Sequence, residues 1–131
     1  MREPHVFRLA QAAALLGVSD DTLRRWADAG RVPTTVDADG RRAVEGPVLA
    51  AFAVALAGDP SGPSRVSARN SFAGIVTRVL RGDVVSQVEV QAGPHRLVSL
   101  LSTEAVDELG LAPGVPATAS VKSTNVVLEL P

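Results

Sequence analysis

Cysteine and tyrosine are absent from this chain of 131 residues, and lysine occurs once, at Lys122. Without cysteine there is no disulfide and no thiolate metal site, which fits a reducing compartment. Aromatic residues make up 3% of a chain that is 46% hydrophobic, so any core must be built mainly from Val, Leu and Ala. The longest apolar run, VLAAFAVALA from Val48 to Ala57, is too short to span a bilayer. The opening MREPHVFRLAQ has no apolar stretch of signal-peptide length, so the expectation is a cytoplasmic protein with no membrane partner. Neither sign of charge dominates, with 13 basic against 14 acidic residues and a net charge of -1. Up to residue 60 seven Arg face eight acids, and after it six basic residues face six acids. Proteins that coat nucleic acid without specificity carry a basic excess, so any DNA binding here needs a local basic face and oligomerisation.

Catalytic and metal signals are equally sparse. His5 lies in an N-terminal segment expected to fray, and His95 follows Gly-Pro in a turn; neither has ligand spacing to another His or a Cys. Serines are plentiful but lack a nucleophile-elbow context. The expectation is a protein that is not an enzyme and holds no directly coordinated metal cation.

What is present divides in two at AGDPSGPSRVS, residues 57 to 67, whose two prolines and two glycines exclude a helix or central strand. The reading is a first domain over 1–57, a linker over 58–66 and a second domain over 67–131. In the first, Leu9, Ala12, Ala13 and Leu16 share a helical face that Gly17 ends. Ser19 caps a second helix, with Asp20 and Asp21 in its first turn and Leu23, Trp26 and Ala27 inward, up to Gly30. Trp26 reads as core. A turn at DADGRR follows, then a third helix near Gly46 to Ala57 with Val48, Leu49, Phe52 and Leu56 buried.

After the linker the pattern becomes β. Val88 and Val90 alternate with Gln87, Glu89 and Gln91 between turns at GDV and AGPH. Val115, Ala117, Ala119 and Val121 share one face of a later strand, and Thr118, Ser120 and Lys122 the other. One short helix, STEAVDELGL, has Ser102 or Thr103 as its cap. The predicted class is α+β in two domains: a small helix-turn-helix, which the resemblance given next makes a winged one, then an OB-like five-stranded β-barrel with one short helix.

The stretch AALLGVSDDTLRRWADAGRVP, with the DGRR turn after it, resembles the MerR/excisionase-type winged helix-turn-helix over roughly residues 7 to 56. The resemblance implies a second helix in the major groove of double-stranded DNA and a hairpin wing. It brings Thr22, Arg24 and Arg25 to the DNA side and Arg41 and Arg42 to phosphates. Adjacent Arg24 and Arg25 diverge by about 100°, so both cannot read bases.

An OB surface that binds nucleic acid stacks bases on exposed rings, but Phe72 is the only aromatic residue after the linker. What remains are donors suited to a small oxyanion: Arg, Lys and hydroxyls in SARN and VKST. By themselves these clusters favour the plainer reading, solvated or salt-bridged strand ends. Taken with G-x-V and STEAVDELGLAPG between them, they resemble the Mop, or molbindin, domain over about residues 65 to 130. That resemblance implies molybdate or tungstate bound between subunits. It assigns oxyanion contacts to Ser67, Arg69 and Asn70, to Ser102 and the backbone of Ala105, and to Lys122 and Ser123. It further implies a homo-oligomer, a dimer or a hexamer built from dimers.

Two functions are compatible with this reading. One is a molybdate-responsive DNA-binding transcriptional regulator. The other is a molybdate storage or homeostasis protein whose first domain serves assembly, which the near-neutral first half and the Asp20–Asp21 pair favour.

Overall fold

The computed structural model describes residues 5–58 and 66–131, and most of the expected linker, 58–66, lies outside the described residues. The chain divides into two compact units, Met1–Gly62 and Pro63–Pro131.

In the first unit β1 (Val6–Arg8), α1 (Leu9–Leu16), α2 (Asp20–Asp28), β2 (Thr35–Val36), β3 (Arg42–Glu45) and α3 (Gly46–Ala57) follow in order. Gly17 joins α1 to α2 in the left-handed conformation (φ 74°) that a residue with a Cβ rarely adopts. Ser19 then caps α2, its Oγ accepting the Thr22 N–H at 3.1 Å. Leu9, Ala12, Ala13, Leu23, Val32, Val44 and Leu49 form the core, with Trp26 and Phe52 packed against it. The Trp26 and Phe52 rings lie 5.6 Å apart, and the Arg31 guanidinium sits 5.1 Å from the Trp26 ring.

Two expectations are corrected here. Leu56 is 40% exposed, because α3 packs on the core through Val48, Leu49 and Phe52, all N-terminal to it. The segment at His5 is held rather than frayed. β1 pairs antiparallel with β3, and the His5 carbonyl accepts the Gly46 N–H at 2.7 Å. The sheet order is β1-β3-β2.

The second unit contains β4 (Asn70–Leu80), β5 (Val85–Ala92), β6 (His95–Ser102), α4 (Thr103–Leu109), β7 (Pro116–Val121) and a 3-10 turn at Ser123–Asn125. All pairings are antiparallel, in the order β6-β5-β4-β7. The α+β class with one short α-helix stands, but the described residues of this unit form four strands rather than five. β4 accounts for the difference. Its 11 residues pair with β7 at one end and with β5 at the other, and its register shifts between Val76 and Arg78. Such a bulge sharpens the twist, so one bent strand serves both halves of an open half-barrel. A Cβ at Gly74 would collide with the Gln91 carbonyl, so glycine permits the close approach of β4 and β5.

Val76, Val88, Val90 and Val106 form the core of this unit. Along β7 the expected alternation holds, with Ala117, Ala119 and Val121 partly buried and Thr118 and Ser120 exposed. On β5 Glu89 departs from its expected exposure at 8%, because β5 is a central strand and Arg96 from β6 ion-pairs with the Glu89 carboxylate. β6 and β7 face each other across a trough of about 510 Å³ lined by Leu97, Leu101, Leu111 and Ala117 among others.

Candidate functional site

At one end of the β4–β7 ladder, Asn70 pairs with Val121 and its side-chain amide donates to the Val121 carbonyl at 3.1 Å. This register brings the first polar cluster beside the second within one chain. Arg69 and Lys122 stand one position beyond the last paired residues, and both are exposed. Neither has an ion-pair partner among the described residues. Like charges facing each other across a ladder are unfavourable unless an anion joins them. Ser67 is exposed in the bend before β4, and Ser123 opens the 3-10 turn after Lys122. The structure therefore gathers Ser67, Arg69, Asn70, Lys122 and Ser123 at one end of the sheet.

Ser102 and Ala105 lie elsewhere. Ser102 pairs with Val85 at the end of β6, near the β4 end that Leu80 and Gln87 mark, and β6 is the opposite edge from β7. Ser102 caps α4, and its Oγ accepts the Ala105 N–H at 3.1 Å. That donor is thus committed to the helix, while the Ser102 hydroxyl keeps its own hydrogen to give.

The start of α4 is fixed by a network that the sequence patterns do not reveal. The Gly82 N–H donates to Ser86 Oγ (3.4 Å), and Thr103 Oγ1 donates to the Gly82 carbonyl (2.8 Å). A hydroxyl has one hydrogen, so the 2.7 Å contact between Ser86 and Thr103 must be donated by Ser86. The circuit closes on Gly82. Beside it, a bidentate pair from Arg81 to Asp107 (2.7 and 2.8 Å) holds the Asp107 carboxyl below its ordinary value.

In the first unit Arg8, Arg24, Arg41 and Arg42 line a concavity of about 410 Å³ with Leu9 and Ala10 at the start of α1. Arg25 points away from it, toward the Thr22 hydroxyl at 3.4 Å. Thr22 is itself tied into the α2 cap by the Ser19 hydroxyl at 2.9 Å. Arg24 and Arg41 have no side-chain partner among the described residues, whereas Arg42 pairs with Asp28 at 2.7 Å. Arg8, missed by sequence reasoning, pairs with Asp37 at 3.2 Å and Asp39 at 3.0 Å. Only its place just before the Leu9 helical face could have marked it.

Asp37 organises the hairpin turn that delivers Arg41 and Arg42. Its Oδ1 accepts the N–H groups of Asp39 and Arg41, each at 2.9 Å. The Arg41 N–H chiefly, then the Asp39 N–H and the Arg8 guanidinium, hold the Asp37 carboxyl below its ordinary value against the opposing effect of desolvation.

Residues 66–128 match the TOBE domain, and residues 8–44 match the MerR family regulatory protein. Molybdenum-pterin-binding protein 2 of Clostridium pasteurianum is 39% identical over 64 residues, 48% of this chain and 94% of that protein. The chain belongs to the TOBE (Mop-type) family. A MerR-type segment precedes its TOBE domain. The family's molybdenum-pterin-binding protein MopA of Rhodobacter capsulatus is 38% identical over 85 residues, which is 64% of this chain and 31% of MopA. The structure of the cytoplasmic molybdate-binding protein ModG with molybdate bound is 40% identical, with a TM-score of 0.50 over 56% of this chain and 52% of ModG. This TOBE protein thus spans about a third of MopA and half of ModG. No helix among its described residues is long and apolar enough to cross a membrane, and those residues hold no cluster of metal-ligating side chains.

Proposed function

We propose that this chain binds molybdate or tungstate through its TOBE domain and double-stranded DNA through its MerR-type unit, as an oxyanion-responsive transcriptional regulator. The observation that carries the oxyanion half is a pair of cations, Arg69 and Lys122, held at one end of the β4–β7 ladder without an ion-pair partner among the described residues. With Ser67, Asn70 and Ser123 beside them they offer charge and hydroxyl donors to a tetrahedral dianion. The likeness to ModG, whose structure contains molybdate, favours that ligand over other oxyanions.

Ser102 joins the same site when a second copy supplies it, since its own chain holds it at the other end and edge of the sheet. Two further features favour assembly. The trough between β6 and β7 is open, and Val127, Leu128 and Leu130 are 89%, 90% and 93% exposed. Contiguous apolar surface this exposed ordinarily marks an interaction site. A homo-oligomer, a dimer or a hexamer of dimers, would also present paired DNA-binding units at a fixed separation. Oxyanion binding would alter DNA affinity by favouring one arrangement of those units over another.

In the DNA half, Arg24 and Arg41 have no ion-pair partner among the described residues, Arg42 and Arg8 are held in ion pairs, and Arg25 and Thr22 lie on the flank of α2. The ion-paired state of Arg42 and Arg8 also favours the second reading, a molybdate storage protein whose MerR-type unit serves assembly. Calorimetric titration with molybdate, tungstate and sulfate tests the oxyanion half. Lys122→Gln and Arg69→Gln should each weaken molybdate binding about tenfold or more, in the range of a lost charge-assisted hydrogen bond. Unchanged affinity in both variants would refute the site. A DNA titration with and without molybdate separates the two readings, since the storage protein would leave DNA unbound in both.

A further inference from the structure

The concavity at the start of α1 gathers four guanidinium groups in a unit whose net charge is close to zero. That balance is local. Asp28, from the last turn of α2, reaches the Arg42 guanidinium of the wing, and Asp37 and Asp39 of the hairpin hold Arg8. Arg24 and Arg41, on the same surface, have no ion-pair partner among the described residues. We propose that Asp28 and Asp39 are specificity-determining counter-charges, which keep Arg42 and Arg8 from contributing to DNA binding unless a duplex fits well enough to displace them. The proposal rests on the DNA-binding reading of this face.

The physical argument turns on exchange. A phosphate meeting Arg24 or Arg41 gains a cation that has only water to lose. A phosphate meeting Arg42 must first break a 2.7 Å ion pair and leave Asp28 facing the duplex. On DNA of arbitrary sequence, where contacts are made in shifting registers, that exchange is not rewarded, and the two free arginines carry the binding. On a duplex whose groove geometry holds a phosphate at Arg42, the exchange goes through. The acids therefore suppress non-specific affinity more than specific affinity, which widens the ratio between them. Asp28 and Arg42 side chains are 63% and 42% exposed, so the pair contributes little to stability and can be altered without unfolding the unit.

Each phosphate contact adds about 0.9 to the salt slope of DNA binding. Asp28→Asn should therefore steepen the salt dependence on a short random-sequence duplex by about 0.9 and tighten binding roughly three- to tenfold at moderate salt. Asp39→Asn should act the same way through Arg8, with a smaller effect because Asp37 still holds that guanidinium. Glu45→Gln makes the same charge change at an exposed acid that has no ion pair among the described residues and does not line the concavity, and serves as the control. Fluorescence anisotropy in a salt series reads these values for the full chain. The same series on a duplex selected from a random library should show a smaller gain for Asp28→Asn. If Asp28→Asn and Glu45→Gln tighten binding equally, or neither changes the slope, the counter-charge proposal is overturned. Arg24→Glu tests the underlying reading separately: if it leaves DNA affinity unchanged, the concavity is not the DNA face at all.

Discussion

Replacing Thr103 with Val removes one hydroxyl from a closed hydrogen-bond circuit while nearly conserving volume, so its effect isolates the network. Thr103 is 7% exposed and Ser86 is 1% exposed. The substitution deletes the bond to the Gly82 carbonyl and the one accepted from Ser86, and strands the buried Ser86 hydroxyl out of reach of water. At about 1 kcal/mol net for each bond, with a share of desolvation for the stranded Ser86 hydroxyl, the loss comes to about 2–3 kcal/mol. In a unit of this size that lowers the midpoint of thermal unfolding by roughly 10–20 °C. Circular dichroism of the strand signal measures it. The fluorescence of Trp26, the one tryptophan of the chain, lies in the other unit and gives an internal reference. Ser86→Ala leaves the Thr103 bond to Gly82 in place but deletes the bond to Thr103 and the longer one from the Gly82 N–H, and should cost about 1–2 kcal/mol. Because the groups form a ring, the double variant should cost less than the two single variants together. A loss below about 0.5 kcal/mol for Thr103→Val, or strict additivity with Ser86→Ala, would show that the circuit does not hold the start of α4.

Two further outcomes follow from the packing and the electrostatics. Leu23 is fully buried between α1, β3 and α3, so Leu23→Ala should cost about 2–5 kcal/mol and abolish or strongly lower the Trp26 fluorescence transition. Asp37 and Asp107 have pKa values lowered by folding from the ordinary 3.8, so each adds stability above that pH and loses it as pH falls through the lowered folded value. Acid unfolding should therefore begin below about pH 4, and Asp37→Asn should flatten that dependence for the Trp26 transition while leaving the acid dependence of the TOBE domain intact.

Much of the architecture is legible in local pattern. The Gly17 turn, the Ser19 cap and the Leu23–Ala27 face follow from rules acting within four residues, and the structure matches them. The β7 alternation is equally local. Exposure of Leu56, burial of Glu89 and the length of β4, which pairs with two neighbours, escape such rules, because each depends on which element lies alongside.

The candidate sites divide in the same way. Residue types and their order in SARN, STEA and VKST mark donors for an oxyanion, and the Arg-rich turn marks a basic wing. Chemistry of that kind is a property of side chains and needs no fold to be recognised. Pairing is a property of space. Only the antiparallel register sets Arg69 beside Lys122, holds Ser102 at the opposite end of the sheet, and closes the Gly82–Ser86–Thr103 ring across 21 residues. Likewise, only the folded unit brings Arg8 to Asp37 and Asp39 and Arg42 to Asp28, deciding which arginines are free. The sequence by itself determined which donor groups each segment can offer to a ligand. Tertiary structure decided which of those groups are left unpaired to do so, because an ion pair or a hydrogen bond forms between neighbours in space whatever their distance along the chain.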